Sequence, residues 1–209
     1  MNAAPALLGN LYELGAVIDV EGAIIEAYAA QDAHGGVDTG WPNGSLWQAE
    51  GRALYALVRA LNADRVLELG TWHGCSATHI AQALVDAGRG GTLDAVDIWA
   101  GAGDRVPDSL RPAIRFHHAD MVAWALDQAI AGRCYDLIYE DGEHDSESVA
   151  EIWALAERLL CPGGVIVSHD ALHTGVGAVV RAAIESSGLT PVYLQLGSSD
   201  CGLAVWRAD

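Results

Sequence analysis

From Arg65 to its end the chain alternates short apolar runs with amphipathic stretches, and this alternation limits the fold more than any other feature. Seven runs have strand character: 65–69 (RVLEL), 92–99 (TLDAVDIW), 113–118 (AIRFHH), 135–140 (YDLIYE), 163–169 (GGVIVSH), 191–196 (PVYLQL) and 202–208 (GLAVWRA). Each is too short for a helix and is bounded by turn residues. Helical spacing predicts helices over 75–88, ended by Gly88, and over 120–132, 145–160 and 176–188. In the third of these, Val149, Ile152, Trp153, Ala156 and Leu159 fall on one face. Strand-then-helix repetition predicts a mostly parallel sheet with helices on both faces, because parallel neighbours need a crossover connection. The last two runs, joined by GSSDC, read as a hairpin that adds an antiparallel strand. In such sheets ligands bind beyond the carboxyl ends of the strands, so functional residues are expected just after them.

The chain has 209 residues, of which 51% are apolar and 19% charged, enough to bury one core. Residues 45–209 are expected to form a single domain, opening with a helix that carries Leu54, Leu57, Val58 and Leu61 on one side. Residues 1–44 read as an N-terminal helical extension or lid: Leu11, Leu14, Ile18, Ile25 and Tyr28 follow helical spacing before the Gly- and Pro-containing loop 31–45. Residues 100–109, AGAGDRVPDS, read as a second loop. Acids outnumber bases 28 to 11, for a net charge of −17, and every base is an arginine. The first base is Arg52, after seven acids. So acidic a surface repels phosphate backbones and anionic lipid, which argues against nucleic acid and membrane as partners. No apolar run nears the length of a membrane span, and no basic segment opens the chain, so a cytoplasmic location is expected. The four cysteines form no CxxC pair; reduced thiols are expected, with Cys134 and Cys161 as small buried residues.

The first strand runs into a glycine turn: Glu68-Leu69-Gly70-Thr71-Trp72-His73-Gly74-Cys75-Ser76. Gly70 permits a tight turn, and Gly74 permits close approach of backbone to a ligand at a helix N-terminus. The segment is neither GxGxxG nor a P-loop, since the chain has no lysine to reach a phosphate. An acid at the strand end suits a cationic ligand rather than a phosphate.

The Glu-x-Gly-x-x-x-Gly-x-Ser pattern resembles the first motif of class I S-adenosylmethionine-dependent methyltransferases. It is most similar to the small O-methyltransferases of the catechol and caffeoyl-CoA type and their antibiotic- and sugar-modifying relatives. The resemblance implies a Rossmann-like domain with a seven-stranded sheet. It also implies that Glu68 and Gly70 contact the methionine part of the cofactor and that Ser76 bonds its carboxylate. Asp97, at the end of the second strand and 29 positions after Glu68, would accept the ribose hydroxyls. Asp120, after the third strand, would take the adenine amino group; it also stands where a helix N-cap is wanted. Trp99 is a candidate cover for the adenine.

The fourth strand delivers Asp141, with His144 three residues later, into a stretch with eight acids and no base between Arg133 and Arg158. A carboxylate after a buried strand needs a partner, and a cation is the natural one. The fifth strand ends Ser168-His169-Asp170, and adjacent parallel strands would bring Asp170 to Asp141. Carboxylate ligands with open water positions suit Mg²⁺. The catechol-type family has Asp-Asn where this chain has His169-Asp170; a histidine ligand leans the site toward Mn²⁺ or Fe²⁺. Where that family places a lysine base, three positions after the metal aspartate, this chain has His144, whose ordinary pKa of about 6.5 suits proton abstraction near neutrality. Ser168-His169-Asp170 is not a hydrolase triad, because consecutive strand residues face opposite ways.

The expectation is thus an S-adenosylmethionine-dependent O-methyltransferase acting on a small-molecule hydroxyl, with Asp141, Asp170 and His169 as metal candidates and Asp141 and His144 as catalytic ones. Small members of such families are often dimers. Two alternatives remain open: a metal-independent methyltransferase with a histidine base, and a non-catalytic or NAD-type nucleotide-binding module.

Overall fold

The structure is a computed structural model that describes residues 46–196 and 200–209. The N-terminal extension 1–44 and its Trp41-Pro42 loop lie outside the described residues. Seven strands form one sheet: β1 (Arg65–Leu69), β2 (Thr92–Asp97), β3 (Ile114–His118), β4 (Tyr135–Glu140), β5 (Leu160–Ser168), β6 (Val192–Leu194) and β7 (Leu203–Arg207). Their order is β3-β2-β1-β4-β5-β7-β6. The first five are parallel, and β7 inserts antiparallel between β5 and β6. The chain's direction of travel across the sheet reverses between β1 and β4, which opens a crevice at their carboxyl ends.

The strands alternate faces as their apolar pattern requires. Val66, Leu137, Tyr139, Val165 and Val167 pack in one layer under α1 (Gln48–Ala60) and α2 (Cys75–Ala87). Leu67, Leu69, Ile138 and Ile166 pack in the other, under α3 (Met121–Ile130), α4 (Ser146–Leu159) and α5 (Gly177–Ser186). Trp153 of α4 is fully buried there. The helix ends match their sequences. Gly88 closes α2 in a left-handed conformation. Asp120 caps α3 by accepting from Ala123 N, and Asp145 caps α4 by accepting from Glu147 N and Ser148 N.

Two features differ from the sequence expectation. β5 begins at Leu160, before the predicted Gly163, because the backbone is already extended where α4 stops. Pro162 and Gly163 are accommodated in an irregularity of the β4–β5 register between Tyr135 and Leu137. The second is a correction. Cys134 and Cys161 are not reduced thiols but a disulfide, with Cα atoms 5.0 Å apart. Cys134 precedes Tyr135 and Cys161 follows Leu160, and those two residues pair across the strands. Adjacency across the sheet joins cysteines 27 residues apart in the chain. Cys75 and Cys201 carry no disulfide. Among the described residues, no helix is long and apolar enough to cross a membrane.

Candidate active site

The glycine turn is built by the β1–β4 pair. Asp141 N donates to Leu69 O at 2.8 Å, keeping the two strands side by side to their ends. Gly70 lies at φ +92°, and a Cβ there would collide with the Asp141 carbonyl. Only glycine meets both demands. The next residues are held by Asp97: its Oδ2 accepts from Thr71 N at 2.9 Å and Trp72 N at 2.7 Å, and its Oδ1 from Trp99 N at 2.7 Å. Trp72 itself sits at φ 44°, a left-handed conformation costly for an aromatic residue and maintained by these bonds. At Gly74 a Cβ would meet the Val106 side chain, so its lack of a side chain serves the packing of the 103–106 loop.

Glu68 is fully buried beneath this turn. Thr71 Oγ1 donates to its Oε2 at 2.9 Å, while its Oε1 has no hydrogen-bond partner. Burial pushes its carboxyl up to about 8, against the lowering influence of the Ser76 and Thr71 hydroxyls. A cationic group arriving above it would draw this carboxyl back to its ionised form and give Oε1 the partner it lacks.

A cavity of about 330 Å³ opens over the ends of β1, β2 and β4. Of the predicted residues, Gly70, Ser76, Asp97, Asp120, Asp141 and His144 line it. Glu68, Gly74, His169 and Asp170 lie outside the lining, as does Trp99, whose ring stands edge-on to His73. Sequence reasoning missed Thr71, Trp72, Ile98 and Met121, which also line it. The first two were within the quoted motif. Ile98 immediately follows Asp97, and Met121 immediately follows Asp120, so adjacency to a predicted ligand was the available signal.

Beside the cavity, the ends of β4 and β5 bring acids and histidines together. His144 Nε2 is 2.9 Å from Asp170 Oδ2 and 3.8 Å from Asp141 Oδ1. His169 Nδ1 is 3.2 Å from Asp141 Oδ1 and 3.3 Å from Asp170 Oδ2. Tyr139 donates to Asp141 Oδ2 at 3.0 Å. Asp170 adopts φ 55°, a strained conformation for a residue with a side chain. The carboxylates of Asp141 and Asp170 push His144 up to about 10. Burial acts to raise the Asp141 and Asp170 carboxyls, but the two imidazoles outweigh it and hold both below the ordinary value. Asp141, His144 and Asp170 present ligand-capable atoms within 4.8 Å of one another, and so do His169, Asp170 and Cys201. Two participants were invisible in the sequence. Cys201 arrives just before the start of β7, and the fully buried Glu50 of α1 reaches His169 Nε2 at 3.1 Å. Ser168 turns away to donate to Glu140, so the Ser-His-Asp run diverges as strand geometry requires.

The sheet order, with the glycine turn at its switch point and acids ending β1 and β2, is that of the class I methyltransferase fold. The profile of the methyltransferase-domain family matches residues 67–171, half of the chain, and the chain belongs to that family. It is 29% identical to a catechol O-methyltransferase of Mycobacterium tuberculosis over 163 residues, 73% of this chain and 66% of that one. It is 30% identical to a candidate caffeoyl-CoA O-methyltransferase of Arabidopsis thaliana over 132 residues, 60% of this chain. That match spans about half the plant protein, 54% of its length. Among solved structures, an O-methyltransferase from Bacillus cereus in complex with S-adenosylhomocysteine superposes with a TM-score of 0.63 at 17% identity, covering 90% of this chain and 91% of that one. An O-methyltransferase from Streptomyces achromogenes involved in tomaymycin synthesis, in complex with S-adenosylmethionine, gives 0.59 at 21% identity, covering 90% of each chain. These two likenesses concern the fold.

Proposed function

We propose that the protein transfers a methyl group from S-adenosylmethionine to a hydroxyl of a small molecule, assisted by a divalent cation. The observation that carries this reading is the continuity of the cavity. Its lining joins Asp97 and Asp120, at the ends of β2 and β3, to Asp141 and His144, which follow β4 on the other side of β1. A cofactor seated along the first pair would therefore present its methyl toward the second.

S-adenosylmethionine supplies an electrophilic methyl on a positively charged sulfur. Glu68, with its unpartnered Oε1, would favour the cationic methionine end. Asp97 would take the ribose hydroxyls, and Asp120 with Ile98 and Met121 would receive the adenine; all four line the cavity. A divalent ion on Asp141 and Asp170 would supply positive charge that lowers the pKa of an acceptor hydroxyl. His144 stands at the cavity wall to accept the hydroxyl proton. Its raised pKa comes from two carboxylates, and neutralising their charge would bring it back toward the range of a base. Most of the acceleration would come from holding oxygen and methyl in line.

Calorimetric titration should show binding of S-adenosylmethionine and S-adenosylhomocysteine; if neither binds, the reading is wrong. Asp141→Asn should lower turnover by about 100-fold or more while leaving S-adenosylhomocysteine affinity within a few-fold. A second reading is favoured by one observation: His144 and His169 already balance the charge of Asp141 and Asp170. On that reading the enzyme is metal-independent, and turnover survives exhaustive chelation; on the proposed one, chelation abolishes it.

A further inference from the structure

We infer that Glu50 is a positioning residue that makes His169, through Nδ1, a nitrogen ligand of the cation site, and that the site therefore selects a transition-series divalent ion over Mg²⁺. The inference rests on the metal-assisted reading above and adds to it a residue and an ion class.

Glu50 lies in the first turn of α1, on a helix face whose neighbours Ala53, Leu54 and Leu57 are fully buried. A carboxylate without exposure is costly unless each oxygen has a partner. Both oxygens have one: Oε1 accepts from Gly202 N at 3.2 Å, and Oε2 lies 3.1 Å from His169 Nε2. Three elements are thus tied at one carboxylate, namely α1, the end of β5 and the approach to β7. Because a carboxylate accepts, Glu50 keeps a proton on Nε2, so Nδ1, on the opposite side, is the nitrogen open to a cation.

That opposite side is the acid pair. His169 Nδ1 lies 3.2 Å from Asp141 Oδ1 and 3.3 Å from Asp170 Oδ2, yet it is aligned for a hydrogen bond with neither. The residue is 7% exposed, so solvent does not compensate. Without a metal a proton on Nδ1 balances the two carboxylates; a divalent ion among these groups would displace that proton and take its place. Carboxylate, histidine and cation in series is the arrangement by which outer carboxylates orient histidine ligands. An imidazole donor, with the Cys201 thiol close to His169 and Asp170, favours Mn²⁺, Fe²⁺, Co²⁺ or Zn²⁺. Mg²⁺ prefers an all-oxygen shell.

The test uses the full-length protein, stripped with a chelator and reloaded. With Mn²⁺, pulsed electron paramagnetic resonance should show nitrogen modulation that disappears in His169→Asn. With Zn²⁺, nitrogen NMR should show His169 protonated at Nε2 and metal-bound at Nδ1. Glu50→Leu should weaken Mn²⁺ binding about 10- to 100-fold. Glu50→Gln, which keeps an acceptor for Nε2–H, should stay within a few-fold of the unaltered protein. Unchanged S-adenosylhomocysteine binding would show that the variants are folded. Mn²⁺ should resist displacement by about a tenfold excess of Mg²⁺. If Mn²⁺ binds and is lost in Asp141→Asn, but no nitrogen modulation is seen or the tautomer is reversed, the inference fails while the metal-assisted reading stands. Equal affinity of Glu50→Leu would remove Glu50 from the site. If no divalent ion binds, the metal-assisted reading falls, and this inference with it.

Discussion

At Gly70 a single residue decides whether the site can exist. Its φ of +92° and the nearness of the Asp141 carbonyl are independent constraints on one Cβ. Gly70→Ala should therefore destabilise the protein by about 3 kcal/mol, combining left-handed strain with overpacking against backbone. Urea unfolding would measure it, and a loss below about 0.5 kcal/mol would show that the turn relaxes freely. Asp97 illustrates a different residue-scale point. It is placed for a ribose, but it already accepts three backbone N–H groups, so it also holds the turn in shape. Such a carboxylate preorganises the cradle before any ligand arrives.

At the scale of elements, α1 and α2 meet at Gly51 and His79, where a Cβ on Gly51 would strike the imidazole. His79 is buried, and burial, with the Arg52 charge, lowers its pKa to about 4. Neutral imidazole is thus the native form, while the unfolded chain takes up a proton near the ordinary value of about 6.5. Stability from this group is complete above pH ~6.5 and is lost as pH falls toward ~4, by up to roughly 3 kcal/mol. Glu68 and Glu140, raised by burial to about 8 and about 7, act in the opposite sense. The measurement is accordingly the difference between the unaltered protein and His79→Gln across pH 4–7; a difference that does not vary with pH would refute the assignment. The β4–β5 edge carries a second element-scale prediction. The Cys134–Cys161 disulfide closes a separation of 27 residues. By chain entropy its loss should cost about 3–4 kcal/mol, read as a lower unfolding midpoint for the Cys134→Ala/Cys161→Ala pair. Matching midpoints for that variant and the parent would contradict it.

At the scale of the whole molecule, charge sets the behaviour of the surface. A net charge of −17 on 209 residues makes the folded state repel itself. Added salt shortens the range of that repulsion, from about 30 Å at 0.01 M to about 8 Å at 0.15 M. The thermal midpoint should rise by roughly 2–4 °C over that interval. A flat or falling midpoint would mean that attractive pairs dominate the surface. The acids do not all serve one purpose, however. Asp97, Asp120, Asp145 and Asp136 accept backbone N–H groups, whereas Asp141 and Asp170 converge on a cation's place.

The sequence by itself determined the parts. Periodicity and turn residues are local signals, so all seven strands and the five α-helices of the described region were legible, as were the glycine turn and the acids that follow the strands. The conflict between a lysine-free chain and a lysine-using family was legible too, and it pointed to His144. What the tertiary structure decided is everything that depends on which strands lie side by side. The order β1-β4-β5-β7 brings Asp141, Asp170 and Cys201 together, and it sets Cys134 against Cys161. The packing of α1 on that sheet delivers Glu50 to a histidine 119 residues away. Strand adjacency and helix docking are settled by burial of whole faces, and a local pattern of residue types carries no record of which face meets which.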